Sequence, residues 1–387
     1  MKSLLSGRQV HGMLLKSGSE SDANATALSI KNAVADAYSK CGSLEDVKKV
    51  FDRMEERDVV SWTIMMSAYS RCFRWEESLV IFSQMREDGF TPNEFTLSNA
   101  LVACTSLCFL EYGQQLHGLL WKAGWDTDKC IESALIDMYA KCGCITEANM
   151  VFDAIPKPDV VSWTAVISAY SQHGDVVNAL RLFNKMQQLG VEPNSVTILC
   201  VLFACSHGGR VEEGLHYFKS MKEIYNLVPQ MEHYACVVDM LGRVGRLNDA
   251  VKFIKRMPME PDVMIWQNLL GACRVYGNTE LGEIAARKII SINPHDSAPY
   301  VLLSNTYAQI GSSREGPGLR NVMKERGVKK EPGYSWISVS GRVHKFHAQD
   351  QEHPEKDDLY NVLDHLREKI KAMGYVPDLR YVLESDS

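Results

Sequence analysis

DVVSWTIMMSAYS at residues 58–70 returns as DVVSWTAVISAYS at residues 159–171, which is 101 residues further along the chain. At the same offset, AVADAYSKCG (33–42) returns as ALIDMYAKCG (134–143). Self-similarity at a fixed period indicates a repeat architecture. The chain is therefore predicted to be a tandem array rather than a set of unrelated globular domains.

Shorter repeats divide each 101-residue period. Every repeat holds two segments whose apolar residues recur at helical spacing, joined by a glycine or polar turn. One such helix pair cannot bury its own apolar face, but a stack of neighbouring pairs can. We therefore predict an all-α solenoid. Its repeats are predicted at residues 28–58, 59–93, 94–128, 129–159, 160–194, 195–230 and 231–262.

The start of the chain resembles only half of a repeat. GRQVHGMLLKSG (7–18) matches GQQLHGLLWKAG (113–124), which is the second segment of a 35-residue repeat. Residues 1–27 are accordingly interpreted as a partial repeat, and we expect the amino terminus to be truncated.

The pattern changes again after residue 262. Residues 263–332 are predicted as two further helical hairpins with other lengths and surfaces. Around Ser340-Gly341, apolar and polar residues alternate, which predicts a β-hairpin. An amphipathic helix is predicted at 357–374. The expected carboxyl-terminal extension is therefore small and α+β.

The composition of the chain argues against several classes of function. The chain has 42 Lys and Arg against 48 Asp and Glu, and its net charge of −6 argues against nucleic-acid binding by bulk charge. No apolar run reaches about 18 residues, so no membrane span is predicted. The eleven cysteines form no Cys-x-x-Cys pair, and several recur with the repeat. We interpret them as free apolar residues in a reducing compartment. The recurring positions are Cys41, Cys104, Cys142, Cys205, Cys236 and Cys273.

These motifs resemble a known family. Triplets of 35, 35 and 31 residues with VVSWT, ACS, DMYAKCG and VFD are similar to the PLS class of plant pentatricopeptide repeat (PPR) proteins. The later order of WQNLLGACRVYGN, YVLLSNTYAQIG, KKEPGYSWI and EHPE resembles the E1, E2 and E+ segments of that class. The resemblance implies a right-handed solenoid, with E1 and E2 motifs at 263–332 and the E+ extension and tail at 333–387.

The resemblance also implies a function. Members of the family bind single-stranded RNA with one base per repeat. The chain resembles relatives of the E+ type. This implies a site-recognition factor for C-to-U RNA editing in mitochondria or chloroplasts, with a deaminase recruited in trans. Residues 263–378 are then the expected partner surface. No transit peptide is visible in this chain, so the organelle is not specified.

Particular residues can be carried over from the family. The fifth residue of each repeat faces the base edge and the last residue supports it. Thr or Ser in fifth place goes with purines and Asn with pyrimidines; a final Asp goes with G or U, and a final Asn with A or C. The implied pairs are Asn32 with Asp58 for U, Thr63 with Asn93 for A, Ser133 with Asp159 for G, and Thr164 with Asn194 for A.

The remaining repeats are expected to discriminate poorly. They carry Ser98 with Asp128, Leu199 with Gln230 and Ala235 with Asp262. The expected RNA sequence is therefore 5′-U-A-n-G-A-n-n.

Structural alternatives stay open for these residues. Asn32, Thr63 and Thr164 stand near helix starts, where Ser, Thr and Asn are common as caps, and each final Asp or Asn precedes a helix. Trp62 and Trp163 are expected to pack in the core rather than to stack on bases.

Catalysis is not expected. Many relatives end in a zinc cytidine deaminase, whose chemistry needs three zinc ligands and a separate Glu. His353-Pro354-Glu355 matches part of that motif, but no Cys follows Cys273. We therefore expect no catalytic residue, no metal and no cofactor. His344 and His347 are interpreted as surface positions.

Two other functions remain possible at this point. One is a protein–protein scaffold whose concave face holds a peptide, which the acidic net charge favours. The other is a truncated, inactive family member. RNA binding predicts a concave stripe of the paired residues with Lys and Arg, whereas a scaffold predicts aromatic or Met pockets there.

Overall fold

The structure is a computed structural model that describes residues 2–16, 25–124, 129–309, 315–329, 333–339, 342–347 and 353–376. Contacts divide the chain into an amino-terminal unit, Met1–Ala204, and a carboxyl-terminal unit, Cys205–Ser387. Both are built from tandem helices, which confirms the predicted solenoid class.

Eleven helices lie wholly within the described part of the amino-terminal unit, and a twelfth begins there. In chain order they are α1 Lys2–Lys16, α2 Ala25–Lys40, α3 Leu44–Asp52, α4 Val59–Arg71, α5 Trp75–Glu87, α6 Glu94–Leu107, α7 Leu110–Ala123, α8 Lys129–Lys141, α9 Ile145–Asp153, α10 Val160–Gln172, α11 Val176–Gln188 and α12 Ser195–His207.

These helices form two layers. The helices α2, α4, α6, α8 and α10 contact one another in sequence, and each packs against the helix that follows it. We call these five the inner helices and their followers the outer helices. The sequence echo has a structural counterpart, because α4 and α10 begin 101 residues apart, as do α5 and α11.

Buried aromatic residues join the layers. Trp62 in α4 and Trp163 in α10 are 3% and 2% exposed. Each indole meets the Phe of the preceding outer helix edge to face, with ring centroids 5.0 Å apart for Phe51–Trp62 and 4.7 Å apart for Phe152–Trp163. The predicted packing role of both Trp residues is confirmed.

None of the ten described cysteines forms a disulfide bond. Cys104, Cys205 and Cys273 are buried, as predicted, whereas Cys41, Cys142 and Cys236 are half-buried. Burial raises the pKa of Cys104 to about 12 and that of Cys142 to about 11. Because the thiolate is the reactive form, these two thiols are poor nucleophiles.

The carboxyl-terminal unit continues the alternation of inner and outer helices and then ends in a β-hairpin and a single helix. Its further helices are α13 Val211–Glu223, α14 Met231–Arg243, α15 Leu247–Lys255, α16 Val263–Tyr276, α17 Thr279–Ile292, α18 Ala298–Gln309 and α19 Glu315–Glu325. Here α14, α16 and α18 form the inner layer. The strands β1 Tyr334–Val339 and β2 Arg342–His347 and the helix α20 Lys356–Ala372 follow.

The two strands pair antiparallel, which confirms the predicted hairpin; its tip, residues 340–341, lies outside the described residues. No residue of α20 is buried, so its predicted apolar stripe faces solvent. His347 is exposed, as interpreted, and the ring of His344 is half-buried beside His353. No described helix combines the length and apolar content needed to cross a lipid bilayer.

Candidate nucleic-acid interface

The final residue of a repeat caps the inner helix of the next repeat. Asp58 Oδ1 accepts a hydrogen bond from Ser61 N at 2.8 Å, and Asp58 N donates to Ser61 Oγ at 2.8 Å. Asn93 and Thr96 repeat this reciprocal pair at the start of α6. Such caps satisfy amide groups that the helix leaves unpaired, and each contributes about 0.5–2 kcal/mol. The capping alternative is therefore correct for these two residues.

The same cap recurs one period later. Asp159 Oδ1 accepts from Ser162 N at 3.1 Å, and Asn194 Oδ1 accepts from Thr197 N at 2.9 Å. In all four caps the acceptor is Oδ1, an atom that Asp and Asn share. The second terminal atom, an oxygen in Asp and an NH₂ in Asn, is not used by the cap. Capping therefore takes no account of the atom that differs between Asp and Asn.

In the first complete repeat, the fifth and the final residue touch. Asn32 Nδ2 donates to Asp58 Oδ1 at 3.1 Å and to Oδ2 at 3.3 Å. This contact fixes the orientation of the Asn32 amide. Asn32 is only 6% exposed, and its buried Oδ1 meets no hydrogen-bond donor among the described residues. A buried acceptor without a partner costs about 1–3 kcal/mol, and this atom has almost no accessible surface, so the side chain must move before a ligand N–H can reach it.

The fifth-place threonines do not cap their helices, which corrects the capping alternative for them. Thr63 Oγ1 donates to Val59 O and Thr164 Oγ1 donates to Val160 O, both at 2.6 Å. Thr164 Oγ1 also lies 2.7 Å from Thr197 Oγ1, which in turn bonds to Asn194 Oδ1 at 3.0 Å. The fifth and final residues of this repeat are thus linked through one hydroxyl.

Accessibility varies along the row. Thr63 and Ser133 are half-buried, as are Asp58, Asn93, Asp159 and Asn194. Asn32 and Thr164 are buried, so the expected row is partly open rather than fully exposed. Asn32, Thr63, Ser133 and Thr164 all lie on inner helices of the amino-terminal unit, at the same place in each repeat.

In the repeats that are expected to discriminate bases poorly, the fifth residues differ in exposure. Ser98 and Leu199 are half-buried, and Ala235 is buried. Asp262 caps α16 through Ile265 N at 3.1 Å. Asp128 lies outside the described residues.

The sequence interpretation missed a row of exposed apolar residues. Val60, Phe95, Val161 and Val196 are 50%, 63%, 51% and 53% exposed. Each lies three residues before the fifth position, which puts the two on one helical face. The sequence did contain a signal for Val60 and Val161. In each VVSW motif two valines are adjacent, and two adjacent residues of a helix cannot both face the core.

A row of cations runs along the same face. Lys40, Arg71 and Lys141 stand eight residues after the fifth position of their repeats, which is close to two helical turns. Arg243 has the same place in the carboxyl-terminal unit. All four are exposed.

Carboxylates on the same helices neutralise several of these cations. Lys40 Nζ lies 2.6 Å from Asp36 Oδ2, and Arg243 Nε lies 2.7 Å from Asp239 Oδ2. Burial raises the pKa of Asp137, which stands four residues before Lys141, while that lysine works to lower it. The face therefore presents cations without an excess of positive charge.

The affinity of this face for RNA is expected to depend only modestly on salt. Four cations at about −0.7 per neutralised phosphate give a slope of log K against log salt no steeper than about −3. Asp36→Asn should steepen that slope by up to about 0.7, because it releases Lys40. Titrations over a salt series measure the slope. Glu77→Gln, which removes the partner of Arg74 on the outer helix α5, serves as the control. An equal change in both variants would contradict the assignment.

In the carboxyl-terminal unit the inner layer forms a cleft of mixed character. A space of about 550 Å³ lies among α12, α14 and α16, and its lining includes Asp239, Arg243, Gln267, Asn268 and Tyr276. Asp239 accepts from Ser206 Oγ at 2.6 Å. A peptide scaffold was predicted to show Met or aromatic pockets, and this lining combines the aromatic ring of Tyr276 with apolar and polar side chains.

His353 of the His-x-Glu segment is engaged within the protein. Its Nε2 lies 3.1 Å from His344 Nδ1, and its Nδ1 accepts from Glu355 N at 3.1 Å. Within the described parts of the chain, no three His, Cys, Asp or Glu side chains converge as a metal site requires.

Known repeat families match most of this array. The PPR repeat matches residues 30–59, 133–157, 196–225 and 232–260, and the PPR repeat family matches residues 57–105 and 158–207. The E motif matches residues 276–338.

Curated relatives cover nearly the whole chain. A mitochondrial pentatricopeptide repeat-containing protein of Arabidopsis thaliana is 40% identical over 377 residues, which are 97% of this chain and 59% of the relative. A chloroplastic one from the same plant is also 40% identical, over 97% of this chain and 44% of its own length. The chain thus spans about half the length of these relatives.

A solved structure shares the fold. The pentatricopeptide repeat protein PPR10 in complex with an 18-nt psaJ RNA element is similar to 79% of this chain, with 17% identity and a TM-score of 0.52, over 51% of the PPR10 chain. The layered helix pairs and the capped repeat boundaries define a helical-repeat protein. The chain belongs to the pentatricopeptide repeat family, and it carries an E motif.

Proposed function

We propose that the chain binds single-stranded RNA in a sequence-specific way, as a site-recognition factor in organellar RNA processing. The finer role is C-to-U editing with a deaminase supplied in trans, in mitochondria or chloroplasts. The observation that carries the proposal is the repeated cap, in which the helix amide binds Oδ1, the atom that Asp and Asn share, so that the atom that differs between Asp and Asn takes no part in capping.

Elementary hydrogen-bond chemistry supports the pairing. Uracil and guanine present a ring N–H on their Watson–Crick edge, whereas cytosine and adenine present a bare ring nitrogen. The spare atom of Asp accepts and that of Asn donates, so Asp suits U or G and Asn suits C or A. Asp58, Asn93, Asp159 and Asn194 then follow the implied order U, A, G, A.

The exposed apolar row supports RNA binding independently of the code. Val60, Phe95, Val161 and Val196 offer apolar surface three residues before the fifth positions Thr63, Ser98, Thr164 and Leu199. Unpaired bases expose their π-faces, which are apolar and need such surface.

A partner surface in the carboxyl-terminal unit supports recruitment in trans. A mostly apolar cleft of about 620 Å³ lies among α15, α16 and α17. Its lining includes Ile254, Met257, Trp266, Ile284 and Lys288. Concave apolar surfaces with a few charged residues are typical of sites for partner side chains.

Replacing Thr63 by Asn is expected to shift the preference of the second repeat from A toward C. Thr63 is half-buried and carries no side-chain bond beyond its own helix turn among the described contacts, so Asn can be accommodated. Each base contact is worth about 1–3 kcal/mol. Binding is measured with UAnGA, UCnGA and scrambled RNAs.

The matched control is Thr146→Asn on the outer helix α9, where the side chain is exposed. This variant should retain the preference for A. Equal binding of the unaltered protein to UAnGA and scrambled RNA would refute base reading altogether.

A further inference from the structure

The two faces of the β1–β2 hairpin differ in character. Residues directly opposite in an antiparallel pair share a face. The pairs Tyr334–His347 and Trp336–Lys345 therefore lie on one side, which we call the aromatic face. Its four side chains are all exposed, with Tyr334 at 56% and Trp336 at 46%.

The opposite face is partly covered by the chain itself. The rings of Phe346 and His353 stack with centroids 5.0 Å apart and an interplanar angle of 28°. His344 Nδ1 lies 3.1 Å from His353 Nε2. The segment that follows the hairpin thus packs against the β2 side of this face, whereas Ile337 on β1 stays 53% exposed.

The aromatic face combines π-surfaces with a cation. The ring centroids of Tyr334 and Trp336 are 5.8 Å apart, and those of Tyr334 and His347 are 5.9 Å apart. Lys345 Nζ lies 5.9 Å from the centroid of the Tyr334 ring. Aromatic side chains two residues apart on a strand, with a basic residue beside them, suit a ligand that has flat rings and negative charge. Unpaired nucleotides have both.

Local charge points to the same ligand. Residues 333–347 contain Arg342 and Lys345 but no Asp or Glu, in a chain whose net charge is −6. Between residues 324 and 347, six Lys or Arg stand against two Glu. A positive segment in an acidic protein complements phosphate.

We propose that the aromatic face is a second RNA-binding site, which stacks one or two unpaired bases of the strand read by the repeats while Lys345 neutralises a neighbouring phosphate. Since every base has a π-face, this site tolerates any sequence. The second site rests on the RNA binding proposed for the repeats. Because the hairpin follows the repeats in the chain, its nucleotides are expected in a flanking, unread part of the RNA.

Trp336→Ala provides the test. Two RNAs are compared, one with the UAnGA element alone and one extended on both sides by about ten nucleotides of mixed sequence, a length within the usual range of single-strand sites. The unaltered protein should bind the extended RNA more tightly. The variant should lose at least about fivefold in affinity for the extended RNA and keep its affinity for the short one.

Two controls separate stacking from general damage. Ile337→Ser changes an exposed residue on the opposite face of the same strand, and Trp121→Ala removes a 70% exposed indole from α7. Both should leave the ratio of the two affinities unchanged. Trp336→Phe retains a ring, so this variant should retain most of the affinity for the extended RNA. It keeps the test decisive if the Ala variant fails to form the hairpin.

Photocrosslinking gives a direct readout. With 4-thiouridine in the flanking segments, adducts are expected on the peptide that contains Trp336. The proposal is overturned if the extended RNA binds no more tightly than the short one, or if crosslinks form only on peptides that lack Trp336. The aromatic face would then be a candidate site for a protein partner. Loss of discrimination between UAnGA and scrambled RNA, with the extension effect intact, would instead refute base reading by the repeats.

Discussion

Replacing Trp163 by Ala is expected to lower the free energy of unfolding by about 3–5 kcal/mol, the usual cost of removing a buried Trp. The indole is 2% exposed and meets Phe152 edge to face at 4.7 Å. Its removal leaves a cavity between α9 and α10 that neighbouring repeats cannot fill without moving. Urea unfolding followed by helical circular dichroism measures the change.

Trp121 is the matched control, because the same substitution there removes an indole that is 70% exposed. Trp121→Ala should change the free energy of unfolding by no more than about 0.5 kcal/mol. Each repeat contacts only its neighbours, so the loss at Trp163 should appear as earlier melting of part of the array. Equal effects of the two substitutions would contradict the assigned layers.

Asp58→Asn is expected to convert the first complete repeat from U toward C at nearly constant stability. The cap depends on Oδ1, which Asn retains, whereas the second terminal atom changes from acceptor to donor. The Asn32 amide, which donates to both oxygens of Asp58, must then turn over so that its oxygen accepts from the new NH₂. The switch should amount to about 1–3 kcal/mol in relative affinity. Fluorescence anisotropy with UAnGA and CAnGA measures it.

Asp58→Ala separates the two roles of this side chain. It removes the cap as well as the spare atom, so the free energy of unfolding should fall by about 0.5–2 kcal/mol and the first position should lose its preference. If Asp58→Asn lowered stability as much as Asp58→Ala without altering the base preference, Asp58 would be a structural cap alone.

Much of the fold could be predicted because the same 101-residue pattern occurs twice in the sequence. The recurrence of VVSW placed Trp62 and Trp163 in the core, and both are buried. The alternation around residue 340 predicted the hairpin, since a side-chain period of two is typical of a strand with two unlike faces. The family profiles and the structure agree with this architecture.

The contacts of the candidate site could not be predicted in the same way. The bond from Asn32 to Asp58 joins residues 26 positions apart, and no local pattern reveals it. The linkage of Thr164 to Thr197 likewise depends on how neighbouring inner helices pack. Periodicity alone also gave no warning that the His344 ring would pack against His353. Such details follow from tertiary packing, which sequence spacing does not encode.

The ion pairs of the inner helices have a consequence for competition among transcripts. Attraction to phosphate is the same for every RNA, so inner helices on which Lys40 of the amino-terminal unit and Arg243 of the carboxyl-terminal unit already hold carboxylates would attract all strands weakly. A larger share of the binding energy must then come from the bases themselves. Such a protein would stay unoccupied amid abundant unrelated RNA and remain free for a rare matching site.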